Sequence, residues 1–296
     1  MHIHKIQNLI SNKLDFNLDI KFCAIIGLNP SQGARSPMLW NKAYKRLNQS
    51  TRMISLDCNR NNIEELINVL DQNINFIGGA ITIPHKEKVA KILKNRISKS
   101  SAKIGAINCL FRDGNSNLFG TNTDGEAALV SLEKNFGILE NEKVLVLGNG
   151  GTAKAVISYL LLKIKNYNIK MIGRNKNKNK EFEKNFRISS FNWECLESEL
   201  KNCNILINCT SIGWGDQKNI SPINDSLLKK KEKEKLKVFD VIYDPNPTKL
   251  IESCNKYSIR NINGLEMNLE QAVLAFLKTN NLDFINFNKI KEYMGN

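Results

Sequence analysis

Apolar and polar positions alternate in blocks along the chain. Short apolar runs at 22–26, 53–56 and 76–83 are separated by stretches with helical spacing at 38–47, 63–70 and 89–97. That rhythm predicts βαβα units around a largely parallel sheet. A second series opens with Val144-Leu145-Val146-Leu147, enters a helix from Gly151 to about Ile164, and continues with strand-like runs at 169–172, 205–208 and 238–241. It reads as an independent doubly wound unit, so the fold class is α/β: an N-terminal α/β domain with a mostly parallel sheet and a Rossmann-type dinucleotide domain. The pivot between the series falls at Gly120-Thr121-Asn122-Thr123-Asp124-Gly125, where Thr123 and Glu126 have capping-box spacing ahead of an apolar helix at 127–132. Near the C-terminus, Leu269, Val273, Phe276 and Leu277 share one face of an amphipathic helix over 264–277.

A length of 296 residues allows one large unit or two domains with real cores. The unusual quantity is charge: 43 Lys and Arg against 29 Asp and Glu, a net +14. Three readings compete: a polyanionic partner such as nucleic acid or a membrane surface, a phosphate-bearing ligand, or a Lys- and Asn-rich bias spread over solvated faces. The basic residues are scattered and form no nucleic-acid-binding motif, and the Lys/Glu run at 229–237 reads as a solvated face. The expected partners are therefore a small molecule, with no nucleic acid and no membrane. Seven cysteines without a C-x-x-C pair, and only His2, His4 and His85, argue against a disulfide framework or a metal site. The N-terminus lacks the apolar core of a signal peptide, and no run approaches the length of a membrane span. A cytoplasmic location is the default expectation.

The strand at 144–147 runs directly into Gly148-Asn149-Gly150-Gly151-Thr152-Ala153. Gly148 permits a tight turn, Gly150 lets the backbone approach a pyrophosphate, and Ala153 allows close helix-to-strand packing. The N–H groups at the helix start would face the phosphates. At the end of the next strand, where NAD-binding domains place an acid for the ribose 2′-hydroxyl, this chain has Gly173-Arg174-Asn175-Lys176. A guanidinium there suits a 2′-phosphate, each charge-assisted hydrogen bond contributing roughly 1.5–3 kcal/mol, so NADP is the expected cofactor.

Three further motifs stand out in the N-terminal half. Ile81-Thr82-Ile83-Pro84-His85-Lys86 puts a lysine past a strand end, Gly105-Ala106-Ile107-Asn108-Cys109 puts an asparagine after a small-residue strand, and Asp124 sits at the pivot. A lysine and an aspartate beside a nicotinamide ring could move the hydroxyl proton of an alcohol while its hydride leaves. With Gly148 to Ala155, Asn208-Cys209-Thr210-Ser211-Ile212-Gly213 and Gly264-Leu265-Glu266-Met267 leading to Gln271, these motifs occur in an order that resembles the shikimate dehydrogenase family over nearly the whole chain.

The resemblance implies a two-domain enzyme: a substrate domain at 1–123 completed by C-terminal helices at 265–296, and an NADP-binding domain at 124–264. It implies reversible NADP-dependent reduction of 3-dehydroshikimate to shikimate, a step toward chorismate and the aromatic amino acids, by a monomer or homodimer. Lys86 and Asp124 correspond to the catalytic pair. Ser36, Thr82, Asn108, Tyr243 and Gln271 correspond to substrate-binding positions. Gly148, Asn149, Gly150, Gly151, Thr152, Ala153, Arg174, Asn175, Thr210 and Gly264 correspond to cofactor-binding ones.

The departures fall around the substrate. The family's carboxylate turn, close to H-S-x-S-P, is here Gly33-Ala34-Arg35-Ser36-Pro37, with an extra residue in Gly27-Leu28-Asn29-Pro30, and Ala80 replaces a usual asparagine. Ser36 is expected as an N-cap with Pro37 at the first helical position. Loss of the first hydroxyl costs roughly 1.5–3 kcal/mol unless Arg35, a water or the inserted turn replaces it. The alternatives are a paralogue acting on quinate or another cyclic hydroxy acid, and, from a different class, a polyanion binder.

Overall fold

The computed structural model describes residues 2–14, 19–230 and 235–295. Residues 231–234 of the Lys/Glu run at 229–237 lie outside the described residues. The chain divides into two compact units, Met1–Thr123 with Leu269–Asn296, and Asp124–Asn268. The second division falls inside the helix Gly264–Thr279 and not at its start.

The first unit is built on a five-stranded sheet of β1 (Phe22–Gly27), β2 (Arg52–Asp57), β3 (Phe76–Ile81), β4 (Cys109–Arg112) and β5 (Leu118–Thr121), in the order β2-β1-β3-β4-β5. The first three strands are parallel, and β4 and β5 form an antiparallel hairpin on one side. Successive side chains of β1 point to opposite faces. Phe22, Ala24 and Ile26 pack with the helices Ile63–Asp71 and Lys86–Leu93. Cys23 and Ile25 pack with the helix Arg35–Arg46 and the two C-terminal helices. On that second face the rings of Trp40 and Tyr44 meet Phe276 at centroid distances of 5.2 and 4.8 Å, which ties the returning C-terminal segment to the sheet. Burial on both faces explains why β1 is apolar throughout.

The second unit holds six parallel strands, β6 (Val144–Leu147), β7 (Ile169–Ile172), β8 (Ser189–Phe191), β9 (Ile205–Asn208), β10 (Lys237–Asp240) and β11 (Arg260–Ile262), in the order β11-β10-β9-β6-β7-β8. From β6 the chain winds outward through β7 and β8, then returns to β9 on the other side. The winding reverses between β6 and β9, which is where doubly wound sheets open a ligand crevice at their carboxyl ends.

Three local expectations are corrected. Asn108 does not follow a strand: residues before it form the helix Lys99–Ile104, capped by Ser98 and closed by Gly105 in the left-handed conformation, and Asn108 directly precedes β4. Ser36 does not cap the helix Arg35–Arg46. A 3-10 turn, Pro30–Gln32, is closed by Gly33 at φ 119°, the chain is already extended at Ala34, and the helix begins one residue before Ser36. Ala34 occupies the cap and has no side chain to offer. Thr123 does not form the capping box, because its hydroxyl is committed to Asn108 and to the Gln271 carbonyl.

Candidate functional site

In the first unit the predicted side chains lie beyond the carboxyl ends of β1 and β3 and at the adjoining start of β4. Ser36 is buried in the first turn of the helix Arg35–Arg46, and the preceding 3-10 turn is held by Asp57 at the end of β2. The Asp57 carboxylate is 4% exposed and accepts the Ser31 N–H at 2.9 Å and the Ser31 hydroxyl. Asp57 also donates its own N–H to Asn12 Oδ1 at 2.7 Å.

Past β3, Thr82 donates its N–H to the Ile26 carbonyl at 2.9 Å, and Lys86 opens the helix Lys86–Leu93. Lys86 is half-buried and fixed by its neighbours. Its carbonyl accepts the Ile107 N–H at 3.1 Å, and the buried His85 ring donates from Nε2 to the Cys58 carbonyl at 2.8 Å. Burial lowers the His85 pKa below its ordinary value, keeping the imidazole neutral beside the lysine.

Asn108 is the hub of this end of the sheet. Its backbone bridges β3 and β5, accepting from Ile81 N at 2.9 Å and donating to Thr121 O at 3.1 Å. Its side-chain amide donates to Thr123 Oγ1 at 3.0 Å and Gln271 Oε1 at 3.2 Å, while Oδ1 accepts the Thr123 N–H at 2.7 Å. The structure thus brings together Asn108, Thr123 and Gln271, which are far apart in sequence.

In the second unit, Gly148 adopts φ +108°, and a Cβ there would lie 2.9 Å from the Cys209 carbonyl oxygen, so the turn after β6 needs glycine to pass the turn after β9. Gly150 is different: a Cβ would meet no atom within 4 Å. It caps the helix Gly151–Leu160 in an extended conformation, with Gly151 and Thr152 half-buried in the first turn and Ala153 fully buried. First-turn N–H groups have no acceptor within their helix, so an open glycine ahead of them makes a cradle whose donors suit a diphosphate. Asn149 ties this turn to the next strand end, donating to Asn175 O at 3.1 Å and Asn179 Oδ1 at 2.9 Å. There Arg174 is exposed, and the Asn175 side chain caps the helix Lys176–Phe186 by accepting from Lys178 N at 3.1 Å.

Thr210 donates from N and Oγ1 to Asn208 Oδ1 at 3.1 and 2.7 Å. Asn208 in turn donates to Asp240 Oδ1 at 3.0 Å, and Asp240 accepts from Ile242 N at 3.2 Å and Thr248 Oγ1 at 2.7 Å. Asp240 is fully buried, and burial raises its pKa to about 6 against the lowering effect of these donors. Sequence reading did not pick out Asp240 or Thr248. The available signal was a polar residue closing each of two apolar strands, Asn208 on β9 and Asp240 on β10. Gly264 packs on the backbone of the loop after β10, where a Cβ would lie 2.0 Å from the Val241 carbonyl oxygen. Tyr243 is half-buried in that loop, and Asp124 is buried at the start of the helix Asp124–Phe136.

Among the described residues, no group of three or more His, Cys, Asp or Glu side chains could hold a metal ion, and no helix is long and apolar enough to cross a membrane. All seven cysteines are free, and burial pushes Cys23 and Cys109 up to about 12, so these thiols stay protonated. Several lysines pair with acids at the surface, for example Lys163 with Glu133, Lys230 with Glu197 and Lys256 with Asp225.

Residues 25–110 match the shikimate dehydrogenase substrate binding domain, and residues 131–268 match the shikimate / quinate 5-dehydrogenase domain. A shikimate dehydrogenase (NADP+) of Prochlorococcus marinus strain MIT 9215 is 34% identical over 262 residues, covering 85% of this chain and 89% of its own. One of Methanococcus maripaludis strain S2 is 30% identical over 265 residues, covering 88% and 92%. A solved shikimate dehydrogenase in complex with NADP+ superposes with a TM-score of 0.81 at 26% identity, over 94% of this chain and 96% of its own. With both halves matched in order and relatives this similar over most of its length, the chain belongs to the shikimate dehydrogenase family.

Proposed function

We propose that the protein is an NADP-dependent shikimate dehydrogenase, interconverting 3-dehydroshikimate and shikimate. The observation that carries this reading is the placement of Lys86: a half-buried lysine opening the helix Lys86–Leu93, anchored on both sides, beside the polar hub of Asn108 and Gln271.

The nucleotide unit offers the matching half. The pyrophosphate would lie against Gly150, Gly151 and Thr152, with Arg174 and the capped helix start at Asn175 taking the 2′-phosphate and Thr210 and Gly264 lining the nicotinamide side. Bound there, NADPH supplies the hydride that reduces the ring ketone. Lys86 gives its proton to the carbonyl oxygen as negative charge builds there, and in the reverse direction takes the hydroxyl proton. Asp124 is the acidic member of the pair that moves this proton. Ser36, Thr82, Asn108, Tyr243 and Gln271 hold the carboxylate and hydroxyls of the ring. Asn108 acts largely by orienting Gln271 and Thr123, since its amide already donates to both.

The test is absorbance at 340 nm with shikimate or quinate and NADP+ or NAD+. Turnover is expected with shikimate and NADP+ well above the other combinations. Turnover with quinate alone would move the assignment to a cyclic hydroxy acid paralogue, and none with either acid would overturn it.

A further inference from the structure

One half-exposed aromatic side chain on the nucleotide unit has no structural task in the core. Trp214 is 52% exposed, whereas Trp40 is fully buried. It lies on the loop leaving β9, between Gly213 and Gly215, both at positive φ (107° and 58°). This loop is not slack. Asn208 grips Thr210 and the Ile212 carbonyl, the Ile212 N–H returns to Thr210 Oγ1 at 3.0 Å, and Trp214 N donates to the Ser211 carbonyl at 3.1 Å. The far side closes as well, with Gln217 N donating to Trp214 O at 3.1 Å and Gly213 N to Gln217 O at 3.2 Å. Buried Asp240 anchors Asn208 from behind. These bonds fix the backbone from which the indole projects, and a large ring exposed on a rigid loop is prepared for a flat partner.

Topology says which partner. The sheet reverses between β6 and β9, and Gly148 of the β6 turn lies against Cys209 and Thr210 of the β9 turn. The adenosine 2′-phosphate side is marked by Arg174 after β7, on one side of β6. Trp214 follows β9 on the other, where the nicotinamide half of a dinucleotide crossing the switch point must lie.

We infer that Trp214 is a cofactor-binding residue that packs its indole against the nicotinamide half of NADP, an inference that rests on the NADP reading above. The ring face is electron-rich and oxidised nicotinamide is cationic, so the contact favours NADP+. The indole touches no part of the adenosine end.

The test is a titration of the full chain with NADP+ and with adenosine 2′,5′-bisphosphate, which lacks the nicotinamide. Tryptophan emission and acrylamide quenching are followed, with binding measured in parallel by calorimetry. In the wild type, NADP+ is expected to quench and shield a tryptophan component that the bisphosphate leaves unchanged. Trp214→Phe should remove that component. Trp214→Ala should weaken NADP+ binding roughly three- to tenfold while leaving bisphosphate affinity unchanged. Tight NADP+ binding with the same quenching in Trp214→Phe, or equal shielding by the bisphosphate, overturns this inference alone. Failure of the wild type to bind either nucleotide overturns it together with the NADP reading.

Discussion

The two units hold their functional loops by different means. In the first, each loop has its own tether: Asp57 for the 3-10 turn Pro30–Gln32, His85 and the Lys86 carbonyl for the lysine, Asn108 for Thr123 and Gln271. In the second, Asn149 ties the turns after β6 and β7, and one buried carboxylate serves the loops after both β9 and β10. Asp240 fixes Asn208, through it Thr210 and Ile212, and it also holds Thr248 and the start of the loop carrying Tyr243. Separate tethers should tolerate local change, because each holds only its own turn: Asp57 grips the 3-10 turn ahead of Gly33, and the helix beyond it is held by other contacts. A shared tether transmits change, so the second unit should be the less forgiving of the two.

The largest expected effect follows from that contrast. Asp240→Ala leaves donors on Asn208, Ile242 and Thr248 without their acceptor and should cost about 2–4 kcal/mol of stability, read as a drop in the urea midpoint, together with weaker NADP+ binding. An unchanged midpoint would show that the network is not shared as described. Next comes Arg174→Ala. Being exposed, Arg174 should matter for the cofactor and little for the fold, costing roughly 1.5–3 kcal/mol of NADP+ affinity, on the order of ten- to a hundredfold, with NAD+ affinity unaffected. Equal losses for both cofactors would remove the 2′-phosphate assignment.

Asp57→Asn tests the other side of the comparison. One acceptor oxygen survives, so the loss should be about 1 kcal/mol, appearing as a higher KM for the acid with the NADP+ KM unchanged. A fall in NADP+ binding would contradict the independence of the tethers.

A further test concerns pH. Burial holds the folded pKa of Asp240 near 6, above its ordinary 3.8, so the fold binds this proton more strongly than the unfolded chain does. The stability that this protonation contributes is fully present below about 4 and is lost as the pH rises through about 6. Asp240→Asn should flatten that part of the stability profile. An identical slope in the variant would assign it to other groups.

Much of the fold was legible because parallel strands buried on both faces are apolar without interruption, as β1 and β6 are. The short β8 and β11 are partly exposed and carry no such run, and neither do β4 and β5, whose half-buried positions and closing Arg112 and Thr121 interrupt the apolar pattern. The family, too, was legible, since six motifs occur in order. What sequence spacing could not supply was tertiary: that Gly33 would start the helix early and strip Ser36 of its cap role, that Thr123 would turn to Asn108 instead of Glu126, and that Asn208 and Asp240, on neighbouring strands, would meet. Each depends on what another segment brings to the residue.

The central claim is that Lys86 moves the proton while the second unit independently holds the cofactor. Its most direct measurement pairs shikimate oxidation at 340 nm with the NADP+ dissociation constant, for the wild type and Lys86→Ala. Turnover should fall roughly a hundred- to ten-thousandfold in the variant with the dissociation constant unchanged. Near wild-type turnover in Lys86→Ala would contradict the account.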